Sequence, residues 1–438
     1  MAPRCVPTEK WPLRSLYFPV ALAAVLSPGI FSHYPYETLS HGGLAALLLQ
    51  AIALICYIVP LLWIESNLGH KFCGPMALFG KIPIFTGIGF GMIAFAAVYA
   101  MYLSAVAAGH MWYFYQSAWK ADVVFSCNNT WNSEHCNSSY LALIQHNTST
   151  PLTTESVSAL DETFAHLFGQ VYSAAEQNQG QMKAAHPLGG INPDFGACLF
   201  LVWLLVACIL SLGPITLSIF AVVILILATG LWLCFAVRVG SAELPGARPG
   251  RIDGFAEQWY HFRSHETWID IFWNFVRQFH LGTGLIITLN AFNVKSTRMR
   301  LFTEAPLLVL FYLLFGASTS AILFSLYGHA AAVHNVSIQS VVGATGLHAD
   351  FISLPATFSL LSKRLVHNLP AIYYANQLLF SVTTLCGYVE TVNTGLVEIV
   401  KGWYPLYRMA IYRPVISLIS GSVLCSLALL LITKRSCE

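Results

Sequence analysis

The sequence predicts an all-α polytopic membrane protein, and three observations carry that reading. Of the 438 residues 56% are hydrophobic and 10% are charged, whereas a soluble domain carries about 25% charged residues. Apolar runs fill nearly the whole chain, with a mean hydropathy of +0.63. Basic residues and Asn-x-Ser/Thr acceptors also sort onto opposite sides of a single threading. One transmembrane domain over 13–433 follows, with a tail at 1–12 before it and a tail at 434–438 after it. A net charge of +2 selects neither nucleic acid nor an acidic partner.

A membrane helix needs about 20 mostly apolar residues. Nine stretches qualify: 13–31, 44–64, 84–115, 195–212, 216–238, 268–292, 302–328, 370–396 and 412–433. The first follows Arg4, Lys10 and Arg14 and superficially resembles a signal peptide. It lacks a small-x-small cleavage site, and eight further spans follow it. With the N-terminus in the cytoplasm, Lys71 and Lys81 fall inside, as do Lys295, Arg298 and Arg300, and later Lys401, Arg408 and Arg413. That is the positive-inside pattern. The same threading puts the loops 118–194 and 329–369 outside. They carry the glycosylation acceptors Asn128, Asn137, Asn147 and Asn335. Lys434 and Arg435 would lie outside, against the rule.

Several connections have a readable chemistry. The 118–194 loop is rich in Asn, Ser, Thr, Gln and His, and reads as a glycosylated surface loop. Cys127 and Cys136 flank NNTWNSEH within it, and an oxidising compartment favours a disulfide between them. Cys56, Cys198, Cys208, Cys234, Cys386 and Cys425 lie in apolar spans and read as packing residues. No cysteine spacing suggests zinc. SAELPGARPGRIDG (241–254) reads as a Gly/Pro-rich outer connection, and Gly213-Pro214 punctuates an inner turn. An inverted repeat between the first five and next four helices is conceivable.

Two spans resist being continuous helices. The sixth holds Gly282 and Gly284 around Thr283, and the first holds Pro19, Pro28 and Gly29. Broken helices expose backbone groups that lipid does not tolerate, so they face a cavity and serve ions or solutes near the midplane. The alternative is a packed proline kink. SPGIFSHYPYETLSHGGL (27–44) is accordingly either a plain turn or the end of a broken helix lining a site.

Polar residues within the spans sharpen the search. Asp270, Asn274, Arg277 and Gln278 share one face of the sixth span, with His280 close by. Charges at membrane depth cost at least about 2.5 kcal/mol and usually face a watery interior. Arg277 either lines such a pathway, paired with Asp270, or snorkels towards it. Glu65 ends the second span and needs a basic group or a backbone donor. Thr383 and Thr384 offer adjacent hydroxyls to a hard cation, though membrane threonines often bond their own backbone. Signatures of metalloproteases, serine hydrolases and phosphate-cradling loops are absent, which argues against an enzyme.

Taken together, several stretches resemble the neurotransmitter:sodium symporter family, the sodium- and chloride-dependent transporters of amines and amino acids. HYPYETLSHGG resembles the family's Arg-Phe-Pro…Asn-Gly-Gly-Gly. VPLLWIESNLGHKFCGP resembles Ile-Pro-Leu-Phe-x-x-Glu-x-x-x-Gly-Gln…Gly-Pro. SCNNTWNSEHC matches the outer-loop Cys-Asn-Asn-x-Trp-Asn-x-x-x-Cys. GTGLIITLNAFN resembles the unwound sixth helix, and GYVETVNTGLVE the stretch after the eighth-helix ion site. The matching stretches run from about residue 19 to 400.

The resemblance implies alternating access about a site between unwound first and sixth helices, with sodium and a small-molecule solute as cargo. A second sodium site would use backbone oxygens of Ala23, Leu26 and Phe380 with the hydroxyls of Thr383 and Thr384. The first sodium site is eroded, because its ligands fall on Ile30, Gln278 and Tyr312, and only Gln278 offers an amide oxygen. The solute and gate positions correspond to Val25, Gly29, His33, Tyr102, Leu103, Arg277, Gln278 and His280. The gate's cation and aromatic partners are interchanged at His33 and Arg277. The chloride site keeps a similar amide at Asn274 but has Gln50 for a tyrosine.

The family has twelve spans and a transport core of ten, against nine here. That shortfall implies either a truncated isoform or gene model or a divergent member that does not cycle alone, and the function is then either that of a sodium-coupled carrier in the plasma membrane or that of a non-transporting homologue. The latter would bind a ligand or form an oligomer, homomeric or with a full-length carrier, in the lipid bilayer.

Overall fold

The computed structural model describes residues 10–72, 74–80, 83–119, 124–137, 157–168, 192–211, 213–293, 301–342, 348–361, 368–403 and 409–431. Asn147, Lys81, Lys295, Arg298, Arg300, Arg408, Lys434 and Arg435 lie outside them, as do most of both tails. The described chain is helical apart from two dipeptides that pair in parallel, β1 (Cys136–Asn137) and β2 (Val157–Ser158).

The first expected span is two helices, α1 (Tyr17–Val25) and α2 (Gly29–Ser40), separated at 26–28. The break falls at Pro28 rather than Pro19, because Pro19 lies in the first turn of α1, where no backbone donor is lost. α3 (Leu44–Phe72) follows, with one wider turn at Leu54–Ile58, and then α4 (Thr86–Trp119). A short helix α5 (Ala159–Phe168) sits within the long 118–194 connection. α6 (Pro193–Ser211) and α7 (Pro214–Ser241) meet at Gly213.

The 241–254 stretch is not a plain connection. It winds into α8 (Ala247–Gly254), whose glycines let it lie flat on a neighbour: a Cβ on Gly250 would be 2.3 Å from Gly328 Cα. The sixth expected span is again two helices, α9 (His265–Gln278) and α10 (Leu285–Ala291). Gly282 and Gly284 have φ of +75° and +86°, which a residue with a Cβ adopts only at a cost. α11 (Leu301–His334) runs six residues beyond its expected end, into the segment read as a loop from 329. α12 (Leu369–Trp403) and α13 (Met409–Leu431) complete the described chain.

Among the described residues, five helices are long and apolar enough to cross a membrane: α3, α4, α6, α7 and the Thr303–His334 part of α11. The broken helices fall short because each half is less than a bilayer long, and α12 is polar along its inner face. The outward sides of α6 and α7 are apolar, with Phe200, Leu204, Ile219, Ile226 and Val237 exposed, as a lipid-facing surface requires. α4 and α12 pack together along their lengths, and α1 lies against α7 and α12. The two helix breaks thereby meet near the centre of the molecule. Cys127 and Cys136 form a disulfide.

Candidate functional site

The site is built where two chains of backbone stop being helical. α1 ends at Val25 because Leu26 turns to φ −73°, ψ 58°. α9 ends at Gln278, and His280 sits at φ +55°. Each break frees carbonyls that a helix would have used, and side chains from the facing segment meet them. Gln278 Nε2 donates to Val25 O at 3.2 Å and to Ser27 Oγ at 2.5 Å. His280 Nε2 lies 3.0 Å from Ala24 O, and its Nδ1 lies 2.9 Å from Tyr388 Oη. A carbonyl only accepts, so Nε2 carries the proton and the Tyr388 hydroxyl donates to Nδ1.

The sixth-helix break is braced from two more directions. Gly282 N donates to Glu65 Oε1 at 2.6 Å, which supplies the backbone donor expected for that carboxylate. Thr283 Oγ1 donates to His280 O at 2.7 Å. The brace depends on close contact between α3 and α10, since a Cβ on Gly69 would lie 2.2 Å from Ile287 O.

On the opposite side of the first break stands α12. Thr384 Oγ1 lies 3.1 Å from both Ala24 O and Phe380 O, and Thr383 Oγ1 donates to Leu379 O at 2.9 Å. Ala23, Leu26, Phe380, Thr383 and Thr384 are all buried there. Thr383 thus bonds its own helix, while Thr384 bonds both its own helix and, across the gap, α1.

A cavity of about 100 Å³ opens beside these contacts, room for several water molecules and hence for a small solute. Its walls are Ser27, Gly29 and His33 of the first segment, Tyr99, Tyr102 and Leu103 of α4, and Asn274, Arg277 and Gln278 of α9. Two expected solute residues are not in its lining. Val25 contributes its carbonyl to Gln278, and His280 is a strut between Ala24 and Tyr388. The imidazole shares the Ala24 carbonyl with Thr384 and ties α1 to α12 through Tyr388.

The charged residues also pair differently from expectation. Arg277 does not reach Asp270; its guanidinium donates to Asn274 Oδ1, and Asn274 Nδ2 donates to Glu37 Oε1. Asp270 is 61% exposed and lies 3.8 Å from His41 Nε2, while His41 Nδ1 is 2.9 Å from Glu37 Oε2. The amide expected to serve chloride is therefore engaged by a carboxylate. His33 and Arg277 share the cavity without Arg277 using His33 as its hydrogen-bond partner. Ile30 is fully buried and Tyr312 lines the cavity.

Two acidic lining residues escaped the sequence, Glu37 and Asp350. Glu37 lies seven residues past Ile30 in a polar stretch that reads as a turn. Asp350 is the lone acid of HADFISLP, in a segment read as a surface loop. For Asp350 the signal was a single carboxylate beside the apolar run FISLP, and for Glu37 there was none beyond its polar neighbours.

Comparison with known proteins gives the frame for this geometry. A profile described as the sodium:neurotransmitter symporter family matches residues 10–436. A sodium-dependent serotonin transporter of Drosophila melanogaster is 23% identical over 405 residues, covering 89% of this chain and 59% of that protein. A sodium- and chloride-dependent neutral and basic amino acid transporter B(0+) of Homo sapiens is 23% identical over 372 residues, covering 79% of this chain and 56% of that protein. The chain spans a little over half the length of these relatives. With the profile match covering nearly every residue and the helices long and apolar, this is a polytopic membrane protein, not an enzyme, and it belongs to the sodium:neurotransmitter symporter family.

Proposed function

We propose that the chain is a sodium-coupled carrier of a small amine, amino acid or related solute, working by alternating access about the cavity between the two helix breaks. The observation that carries the reading is the meeting of those breaks with Thr384 of α12 on Ala24 O. Carbonyls and hydroxyls are the ligands a hard monovalent cation prefers, and discontinuous helices supply them at membrane depth. In this reading sodium is cargo, held by the backbone oxygens of Ala23, Leu26 and Phe380 and the hydroxyls of Thr383 and Thr384. The solute occupies the cavity lined by Gly29, His33, Tyr102, Leu103, Arg277 and Gln278.

The protein is proposed to sit in the plasma membrane through about nine spans, with its N-terminus cytoplasmic and sugars on Asn128, Asn137, Asn147 and Asn335. Chloride has a weaker place in the scheme, because Glu37 already holds the Asn274 amide.

The test is uptake into vesicles bearing an imposed sodium gradient, across a panel of amines and amino acids. Sodium-dependent accumulation that disappears in the Thr383→Ala, Thr384→Ala double variant supports the reading. Accumulation unchanged in that variant removes the threonines from it.

A second reading has its own observation. Gln278 and His280 already hold Val25 O and Ala24 O, carbonyls at the first break, and Ile30 offers no ligand. That favours a non-transporting homologue that binds a ligand or associates with a full-length carrier. No sodium-dependent uptake of any panel member, from protein shown to be folded, would decide for it.

A further inference from the structure

Asp350 is the one carboxyl in the cavity wall that no neighbouring cation balances. It belongs to the short turn Ala349–Ser353, in the connection between α11 and α12, outside the membrane-spanning helices, and is 4% exposed. Its carboxyl is nevertheless part of the cavity lining. Among the described residues no Lys or Arg lies within 4.0 Å of it, and the basic group paired with it is His110 of α4, whose Nε2 is 4.0 Å from Oδ2.

The tautomer of His110 can be read from its partners. Ser381 Oγ donates to Gln377 O at 2.7 Å, so its hydrogen is committed. The 3.0 Å contact between Ser381 Oγ and His110 Nδ1 then requires the imidazole to donate from Nδ1. A proton on Nε2 would be buried without a hydrogen-bond partner, which favours the neutral imidazole with the lone pair of Nε2 turned towards Asp350 Oδ2 at 4.0 Å. Nε2 makes no other hydrogen bond and is fully buried. A lone pair facing a carboxyl oxygen favours the protonated acid over the carboxylate.

The remaining neighbours do not supply a charge. Tyr373 of α12 donates to Asp350 Oδ1 at 2.9 Å, and it accepts in turn from Gln377 Nε2 at 2.7 Å. Ser32 of α2 also bonds the carboxyl. Tyr374 of α12 donates to the Asp350 backbone carbonyl at 2.9 Å, and Tyr113 of α4 to that of Phe351 at 3.0 Å. Tyr102 of α4 and Tyr327 of α11 are electrostatic neighbours, and Arg277 is a neighbour of Tyr102. Within the same segment His348 faces Ser353 and Asp161 of α5 rather than Asp350. Burial outweighs the Tyr373 and Ser32 bonds and pushes the Asp350 carboxyl up to about 7.

The cavity therefore holds a buried acid that is poised to exchange its proton for a cation near neutral pH. The cavity wall also carries the ring of Tyr102, 47% exposed and an electrostatic neighbour of Asp350, and that of Tyr99, 5.7 Å from the Tyr102 ring between centroids. Both line the cavity. A carboxylate with aromatic rings at its side suits an organic ammonium group, which gains from both. We propose that Asp350 is the cation-recognising group of this cavity, and that an organic ammonium ligand binds there in exchange for the Asp350 proton. The step balances: the Oδ2–H bond breaks, its electron pair stays on the carboxylate, the proton passes to solvent water, and the ammonium replaces it as counter-charge. The proposal rests on the reading of the cavity as the solute site.

The experiment is infrared difference spectroscopy on the full chain in lipid nanodiscs, with three probes: tyramine, tetramethylammonium, and 4-ethylphenol as the neutral counterpart of tyramine. A carboxylic-acid C=O band should titrate near neutral pH, vanish in Asp350→Asn and return shifted in Asp350→Glu. Tyramine or tetramethylammonium should bleach it, and 4-ethylphenol should not. Tyramine binding by calorimetry should release a proton in the wild type and weaken about tenfold or more in Asp350→Asn, the loss expected for one hydrogen bond to a charged group.

The proposal is overturned if no such band depends on Asp350, if neither cation bleaches it, or if 4-ethylphenol bleaches it equally. These outcomes are independent of transport. A band bleached by ammonium in protein that shows no sodium-driven uptake keeps the site and removes the carrier reading. Sodium-driven uptake with an unresponsive band does the reverse.

Discussion

The two faces of the first-helix break make an instructive pair. Towards α9 and the following turn, the carbonyls of Val25 and Ala24 are met by nitrogen donors, the amide of Gln278 and the imidazole of His280. Towards α12, Ala24 O and Phe380 O are met by a hydroxyl, that of Thr384. An N–H donor in a fixed position takes the place of a cation and cannot also be a ligand to one. A hydroxyl can rotate its hydrogen away and offer a lone pair instead. One face has therefore been closed by side chains, while the other retains exchangeable oxygen chemistry. In the proposed carrier, the same helix break would be scaffold on one side and ion site on the other.

Experiments can break this contrast from the hydroxyl side first. The Thr383→Ala, Thr384→Ala double variant should lower sodium-dependent uptake more than tenfold while the fold survives, measured as initial rates in vesicles. A loss of folded protein instead would make the threonines packing residues and erase the distinction between the faces.

The next largest effect concerns pH and Asp350. A carboxyl raised on folding keeps its proton in the folded chain at pH values where the unfolded chain has lost it. Stability is then full below the ordinary aspartate range, falls as pH rises towards 7, and levels above it. Over that window wild type should lose roughly 4 kcal/mol at most relative to Asp350→Asn, read from chemical denaturation in detergent. Parallel pH curves for the two proteins would count against a neutral buried acid.

From the nitrogen side, Gln278→Glu removes a donor and places a carboxylate against Val25 O. Stability without sodium should fall by about 1–3 kcal/mol, the cost of an unsatisfied buried acceptor. Sodium should recover part of it, because the variant recreates an oxygen-lined space. Thermal unfolding in sodium against choline buffer reads this, and equal melting in the two would mean the break cannot readmit an ion. His280→Asn keeps a residue that tolerates φ +55° but loses the reach to Tyr388, so a loss of about 1 kcal/mol is expected. The smallest effect is expected at Asp270→Asn. Its exposed 3.8 Å contact with His41 should be worth less than about 0.5 kcal/mol, and a larger loss would restore a structural role for that acid.

Particular residues divide what was legible from what was not. Gly282, Gly284 and Pro28 announce both helix breaks, because backbone conformation and missing donors are local properties. Cys127 and Cys136 announce their disulfide through their flanking motif. Arg277 misled: helical spacing put it on the face of Asp270, but spacing says which residues share a face and not which partner lies nearer across the gap. His280 misled for a related reason, since a ring held between the Ala24 carbonyl and Tyr388 becomes a strut whatever its position along the chain. Asp350 stayed hidden because its segment has the composition of a loop, and only the packing of α2, α4 and α12 around it makes it a wall of the cavity.

The sequence by itself determined that the chain is a bundle of membrane helices with two interruptions, since hydropathy, glycine and proline act over a few neighbouring residues. Only the tertiary structure decided which carbonyls those interruptions expose, which side chains answer them, and which carboxyl faces the cavity. Those outcomes depend on distances between segments up to several hundred residues apart, and a hydrogen bond is made or lost over less than an ångström.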